Sequence, residues 1–232
     1  MGKGDFSEVG EWYVDRFQKF GGMESDDRVL DIGCGIGRMA IPLMDVLTEG
    51  SYEGFDTSKT MIRWCDRNLS SRRPDFRFTY APIYNRKYNP FGTIDARDYE
   101  FPYPEEEFDF AFATSVFTHL GIEDSTRYLT EISRVLKPGG TALVTCFLLG
   151  GSGRPSRTDG LPFDFRYEFG PLRSTDADEP EAAVAFPEDL LLDLVEDTGL
   201  EVDRPISYGR WPEIDRGPDV QDSVVIRKPA AP

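Results

Sequence analysis

The chain of 232 residues sets 42 acidic against 26 basic side chains, a formal charge of −16, and so offers no basic face for a nucleic-acid backbone. It contains no run of about 18 apolar residues and no basic-then-apolar leader, which argues against a membrane span or export and makes a cytoplasmic protein acting on a small molecule the expectation. Cys34, Cys65 and Cys146 have no metal-like spacing, so they are expected to be reduced, packed thiols with no bound metal.

In chain order, residues 8–20 place Val9, Trp12, Tyr13, Phe17 and Phe20 on one face of an amphipathic helix, expected to lie over a ligand mouth. A strand at 28–32, a helix at 39–47, a strand at 52–55, a helix at 60–69 and a strand at 76–80 follow. After an irregular stretch come a strand at 108–113 and a helix at about 123–136, which Lys137-Pro138-Gly139-Gly140 should stop. A buried strand at 141–148 leads into a second irregular stretch, then a helix at 187–198 ended by Gly199 and strands near 201–207 and 223–227. Such alternation implies an α/β fold with a parallel sheet and helices on both faces, and the length fits one domain.

The first strand runs directly into Gly33, Gly35 and Gly37, three glycines at alternate positions that let a ligand approach the backbone closely. One helix-length later, a second strand ends in Asp56, where a carboxylate can accept both hydroxyls of a ribose. Residues 35–40, GIGRMA, also fit a loose dinucleotide fingerprint, so a nicotinamide oxidoreductase is a competing reading. Asp31 disfavours it. Just ahead of the first glycine, its charge would repel a pyrophosphate but attract an ammonium group, which suits a zwitterionic, phosphate-free cofactor.

With VLDIGCGIGRMA (29–40), GFDTS (54–58), FDFAFATSVFTHL (108–120) and EISRVLKPGGTALVTCF (131–147) in that order, the chain resembles the class I S-adenosylmethionine-dependent methyltransferases, small-molecule type. The match covers residues 28–148, with a weaker one from 186 to 228. It implies a Rossmann-like fold with a seven-stranded, mostly parallel sheet, the last strand antiparallel, and S-adenosylmethionine as cofactor, released as S-adenosylhomocysteine. It also implies cofactor contacts from Asp31, Gly33, Cys34, Gly35, Gly37, Asp56, Thr57 and Met61. Thr114 and Ser115 would line the methionine end through their backbone groups. Family members take the adenine amino group with an acid after the third strand, but here Ala81-Pro82-Ile83 has proline at that place. Either Ile83 supplies a backbone contact alone, or Asp95 returns from the longer loop to replace the acid.

Two regions interrupt the rhythm. Residues 81–107 are rich in tyrosine and phenylalanine but too irregular for an ordinary helix. Residues 149–186 form a lid-like insertion within a single domain spanning 1–232, in which 1–27 would be an N-terminal helical cap. The aromatic centre at 161–169 favours a lid over disorder, with Phe165 as a candidate substrate contact, and contact with a second copy is the alternative, so monomer and homodimer both stand. His119, the one histidine, follows the fourth strand at the active edge of an α/β sheet and could take a proton from an acceptor hydroxyl, with oxygen the expected methylation site, against the plainer reading, common in the family the chain resembles, of a structural hydrogen-bonding residue in this turn. Arg210 could hold a substrate carboxylate and Trp211 could stack on a ring, against the plainer readings of a surface ion pair and a packing residue. A non-catalytic S-adenosylmethionine-binding protein is a third possibility, on the strength of Pro82.

Overall fold

The computed structural model describes residues 6–151 and 154–230, so the start of the expected cap and two positions of the expected insertion lie outside the described residues. Seven strands form the main sheet: β1 (Arg28–Ile32), β2 (Ser51–Asp56), β3 (Phe76–Tyr80), β4 (Phe108–Ala113), β5 (Leu136–Cys146), and later β10 (Glu201–Val202) and β11 (Asp222–Arg227). Their order is β10-β11-β5-β4-β1-β2-β3, with β1 to β5 parallel to their neighbours and β11 antiparallel to β5. The expected Rossmann-like sheet with an antiparallel last strand is therefore present.

Helices cover both faces. On one lie α1 (Phe6–Arg16), α2 (Ala40–Val46) and α3 (Lys59–Cys65), packing Tyr13, Leu43 and Ile62 onto Val29, Tyr52 and Phe112. On the other lie α4 (Ile122–Val135) and α5 (Glu188–Asp197), packing Leu129, Ile132 and Leu191 onto Leu30, Ala111 and Val144. Strands buried on both sides read as apolar runs for this reason.

Strand β4 departs from simple alternation. Phe108, Phe110 and Phe112 should share one face, yet Phe108 joins the α4 and α5 core while the other two join the opposite one. The register slips between Phe108 and Phe110, because Phe108 faces Leu136 while Phe110 already faces Thr141. The Lys137 to Gly140 segment is thus a bulge within β5 rather than a free linker, and α4 ends one residue earlier than its pattern suggests.

The second irregular stretch contains a small sheet, absent from the expected elements. β6 (Leu148–Leu149), β7 (Tyr167–Phe169), β8 (Leu172–Ser174) and β9 (Val184–Pro187) pair in the order β6-β9-β8-β7. Strands of two to four residues are too short to declare a period in sequence. No helix among the described residues is long and apolar enough to cross a membrane.

Candidate functional site

The carboxyl ends of β1, β2 and β4 open into a cavity of about 930 Å³. Its floor is the glycine turn after β1. Gly33, Gly35 and Gly37 all take left-handed φ values of 80, 56 and 77°. The amides of Gly33 and Cys34 donate to the Phe55 carbonyl at 2.9 and 3.0 Å, tying the turn to β2. At Gly35 no atom lies within 4 Å of where a Cβ would stand, so the missing side chain leaves the approach to the backbone open.

Asp56, at the end of β2, closes the turn from the other side. Its two oxygens accept from the Gly35 amide at 2.8 Å and the Ser58 amide at 2.7 Å. Burial raises its pKa, and these two donors oppose the rise. Each oxygen keeps a further lone pair, and the residue lines the cavity.

Asp31 is 1% exposed. One carboxylate oxygen accepts from the Tyr52 hydroxyl at 2.6 Å, and Oδ1 has no partner among the described residues. Burial pushes its carboxyl up to about 8; the Tyr52 bond opposes this and the Asp56 charge adds to it. No cation is among the groups that act on it, so Asp31 is a buried acid awaiting a donor.

The first irregular stretch folds back rather than running free. Ile83 and Ile94 pair through their backbones, which places Ile83 and Asp95 together on the cavity wall. The intervening loop is fixed by Asn85 Oδ1, which accepts from the Lys87 and Tyr88 amides, and by Asn89 Nδ2, which donates to the Ile83 carbonyl at 2.9 Å. Both candidates for the adenine position therefore occupy one site.

Beyond β4, Thr114 and Ser115 line the same cavity. Ser115 holds a φ of 60°, a strained value for a residue with a side chain. Its amide donates to Thr145 Oγ1 at 2.8 Å, and both hydroxyls donate to Gln221 Oε1, at 3.0 and 2.6 Å. His119 Nδ1 lies 2.8 Å from the Glu181 carbonyl, which can only accept, so in the neutral ring Nδ1 carries the proton and Nε2 the lone pair. Burial lowers the pKa of His119 and the carbonyl contact opposes the fall, favouring the neutral ring near pH 7.

Of the residues singled out from the sequence, Gly33, Cys34, Gly35, Asp56, Thr57, Met61, Ile83, Asp95, Thr114, Ser115 and His119 line this one cavity, while Asp31 and Gly37 sit behind its surface. Phe165, Arg210 and Trp211 lie outside this lining. Phe165 packs on Phe147 and Trp211, with centroids 5.1 and 5.5 Å apart. Trp211 is fully buried and donates to Asp222 at 2.9 Å. Arg210 pairs with Glu213 and Asp219 at the surface. Conversely, Tyr13, Arg38 and Tyr88 line the cavity without having been chosen. Arg38 carried a signal, since it follows the third glycine directly.

Residues 30–144 match the family model described as a methyltransferase domain. The chain is 30% identical over 112 residues to a demethylmenaquinone methyltransferase of Bacillus licheniformis, covering 48% of this chain and 40% of that protein. It is 32% identical over 124 residues to a fatty-acid O-methyltransferase of Mycolicibacterium smegmatis, covering 51% and 36%. In these two matches the chain spans about two fifths of the relative's length. In structure it resembles Burkholderia thailandensis 1,6-didemethyltoxoflavin-N1-methyltransferase, solved with 1,6-didemethyltoxoflavin and S-adenosylhomocysteine, at a TM-score of 0.58 and 16% identity over 97% of this chain and 89% of that one.

Proposed function

The chain belongs to the class I S-adenosylmethionine-dependent methyltransferases, and from that premise we propose that it moves the donor's methyl group to an oxygen of a small-molecule acceptor and releases S-adenosylhomocysteine. The observation that carries this reading is the shared cavity, in which Asp56 beside the glycine turn and the neutral His119 line one wall-to-wall space.

The residues present fit the donor. The buried Oδ1 of Asp31 lacks a donor, as an ammonium site requires, and the open face at Gly35 leaves room against the backbone. In this reading Asp56 takes the ribose hydroxyls, Ile83 and Asp95 hold the adenine, and Thr57 and Met61 line the nucleoside side. Thr114 and Ser115 present their backbone groups to the methionine end. When bound, S-adenosylmethionine supplies a methyl group already activated on a sulfonium. The protein's remaining work is alignment and exclusion of water, and His119 accepts the acceptor's hydroxyl proton at Nε2.

The charge of −16 and the small-molecule acceptors named for the two curated relatives support a small acceptor over a nucleic acid. The reading takes the chain as one cytoplasmic catalytic domain, monomeric or homodimeric, with residues 149–186 as an insertion over it.

Two measurements test the reading together. Calorimetry with S-adenosylhomocysteine should show binding that Asp56→Ala weakens by about 100-fold, the effect of losing two charge-assisted hydrogen bonds. Mass spectrometry of a panel of hydroxylated and carboxylated metabolites incubated with the donor should find a methylated product, and His119→Gln should slow its formation by about 100-fold or more without loosening the donor. Binding without turnover across the panel would replace catalysis with a purely binding role. Absence of binding by folded protein would end the reading.

A further inference from the structure

The imidazole of His119 is held by segments remote from its own turn. That turn, Phe117–His119, is closed by its backbone, the His119 amide donating to the Val116 carbonyl at 2.9 Å. Two other parts of the chain reach the ring. Tyr88 meets it edge-on with centroids 5.8 Å apart, and the Glu181 carbonyl stands 2.8 Å from Nδ1.

Glu181 belongs to the loop of residues 175–183 that joins β8 to β9, and this loop is tied down from within. At its base Ser174 pairs with Val184, and the Thr175 amide donates to the Ala183 carbonyl at 3.2 Å. Ser174 is fully buried; its hydroxyl donates to the Pro180 carbonyl at 2.7 Å and accepts from the Asp176 amide at 3.1 Å. Asp176 Oδ1 accepts from the Asp178 and Glu179 amides at 2.8 and 3.0 Å, and the Glu179 and Asp178 amides hold its carboxyl below the ordinary carboxylate range. The Ala182 amide donates to the Glu179 carbonyl at 2.8 Å, closing the short turn Pro180–Ala182 that carries Glu181. From across the cavity, Arg86 donates to the Asp178 carbonyl at 3.2 Å. An exposed connection between two short strands ordinarily leaves such groups to water. Here they are spent on fixing where one carbonyl stands.

We infer that the β8–β9 loop is a positioning element for His119, with Ser174 and Asp176 as the positioning residues: they hold the Glu181 carbonyl against Nδ1, which keeps the proton of the ring there and leaves the lone pair on Nε2. This inference rests on the reading of His119 as the base and extends it to two residues that do not line the cavity. A ring protonated on Nε2 would offer the acceptor a donor and could not take its proton. With the proton on Nδ1, Nε2 takes the hydroxyl proton as the methyl group is transferred, and the Glu181 carbonyl then accepts from a charged ring, a stronger bond than before. The arrangement is a site side chain locked by a second layer of hydrogen bonds.

Because the chain has one histidine, nitrogen NMR of protein labelled with 15N-histidine reads this ring alone. At about pH 8, where the ring is neutral, the Nδ1–H form should exceed the Nε2–H form by about 10-fold or more, the bias of one hydrogen bond that water does not replace. Asp176→Ala, a change at an exposed side chain, should reduce the excess to about threefold or less, and Ser174→Ala should do the same. Asp176→Asn, which keeps an acceptor at Oδ1, should retain the full excess. S-adenosylhomocysteine affinity should change by no more than about twofold in all three variants, since neither position meets the donor. A ring protonated on Nε2 in the natural sequence overturns the inference, as does an undiminished excess in both alanine variants. Should Ser174→Ala not fold, an undiminished excess in Asp176→Ala overturns it alone. Full turnover in His119→Gln removes the base itself, a result distinct from a ring whose tautomer the loop fails to hold.

Discussion

The turn between β1 and β2 and the layer built from residues 148–222 treat their polar groups in opposite ways. Around the turn, valences are left open: Asp31 Oδ1 has no partner among the described residues, Arg38 has no acid, and Asp56 retains free lone pairs toward the cavity. In the second layer most are closed around Asp222, although Arg154 Nε has no partner among the described residues. Asp222 is fully buried and accepts from the Leu148 and Gly209 amides, the Trp211 indole and the Arg154 guanidinium. Phe147, Phe165 and Trp211 complete a small core around that acid. A region that binds must hold back some hydrogen-bonding capacity from its own fold, whereas the packing around Asp222 spends nearly all of that acid's.

The contrast breaks most directly at Asp222. Removing it in Asp222→Ala leaves Arg154, 8% exposed at its side chain, as a buried charge with no counter-ion, and should cost about 3–5 kcal/mol. Urea denaturation measures this. A loss below about 1 kcal/mol would show that the layer does not depend on that acid.

A smaller effect, of opposite sign, is expected at Asp31. Its carboxyl titrates near 8 in the folded protein against an ordinary 3.8, so between those values the native state holds a proton that the unfolded chain has released. Stability attributable to this group is therefore complete below about pH 4 and declines as pH rises toward 8. Asp31→Asn should remove that decline, gaining at least about 1 kcal/mol on the natural sequence between pH 5 and pH 8 in the absence of ligand. Parallel pH profiles for the two proteins would refute the unmatched-acid description.

The smallest effect is expected at Arg210. Its side chain is 54% exposed and its partners, Glu213 and Asp219, are also exposed, so Arg210→Ala should shift stability by no more than about 0.5 kcal/mol and leave donor affinity and turnover unchanged. A clear loss of turnover would add Arg210 to the part of this layer, Phe169 to Pro171 and Glu181, that already lines the cavity.

The sheet and most of the cavity floor were legible because their signals are local. Buried strands appear as apolar runs, and the turn after β1 is written in consecutive residues. The slip in β4 was not legible. Phe108 alternates with Phe110 in sequence, and only the four residues of β5 between their partners, Leu136 and Thr141, reveal the change of face. The placement of Phe165, Arg210 and Trp211 outside the cavity lining was not legible for a related reason: an aromatic or arginine in an irregular stretch has the same local signature whether it meets a ligand or its own chain.

Sequence by itself determined the order of the main-sheet strands and the helices between them, the glycine turn and the two acids flanking it, since these depend on side-chain period and on backbone freedom that a few neighbouring residues dictate. Tertiary structure alone decided which polar groups stayed open. The pairing of Ile83 with Ile94 set Asp95 beside Ile83, and the approach of Glu181 fixed the His119 tautomer. The folding of Trp211 onto Asp222 closed the covering layer. These contacts join residues far apart along the chain, and a hydrogen bond depends on distance in space, which spacing in sequence does not encode.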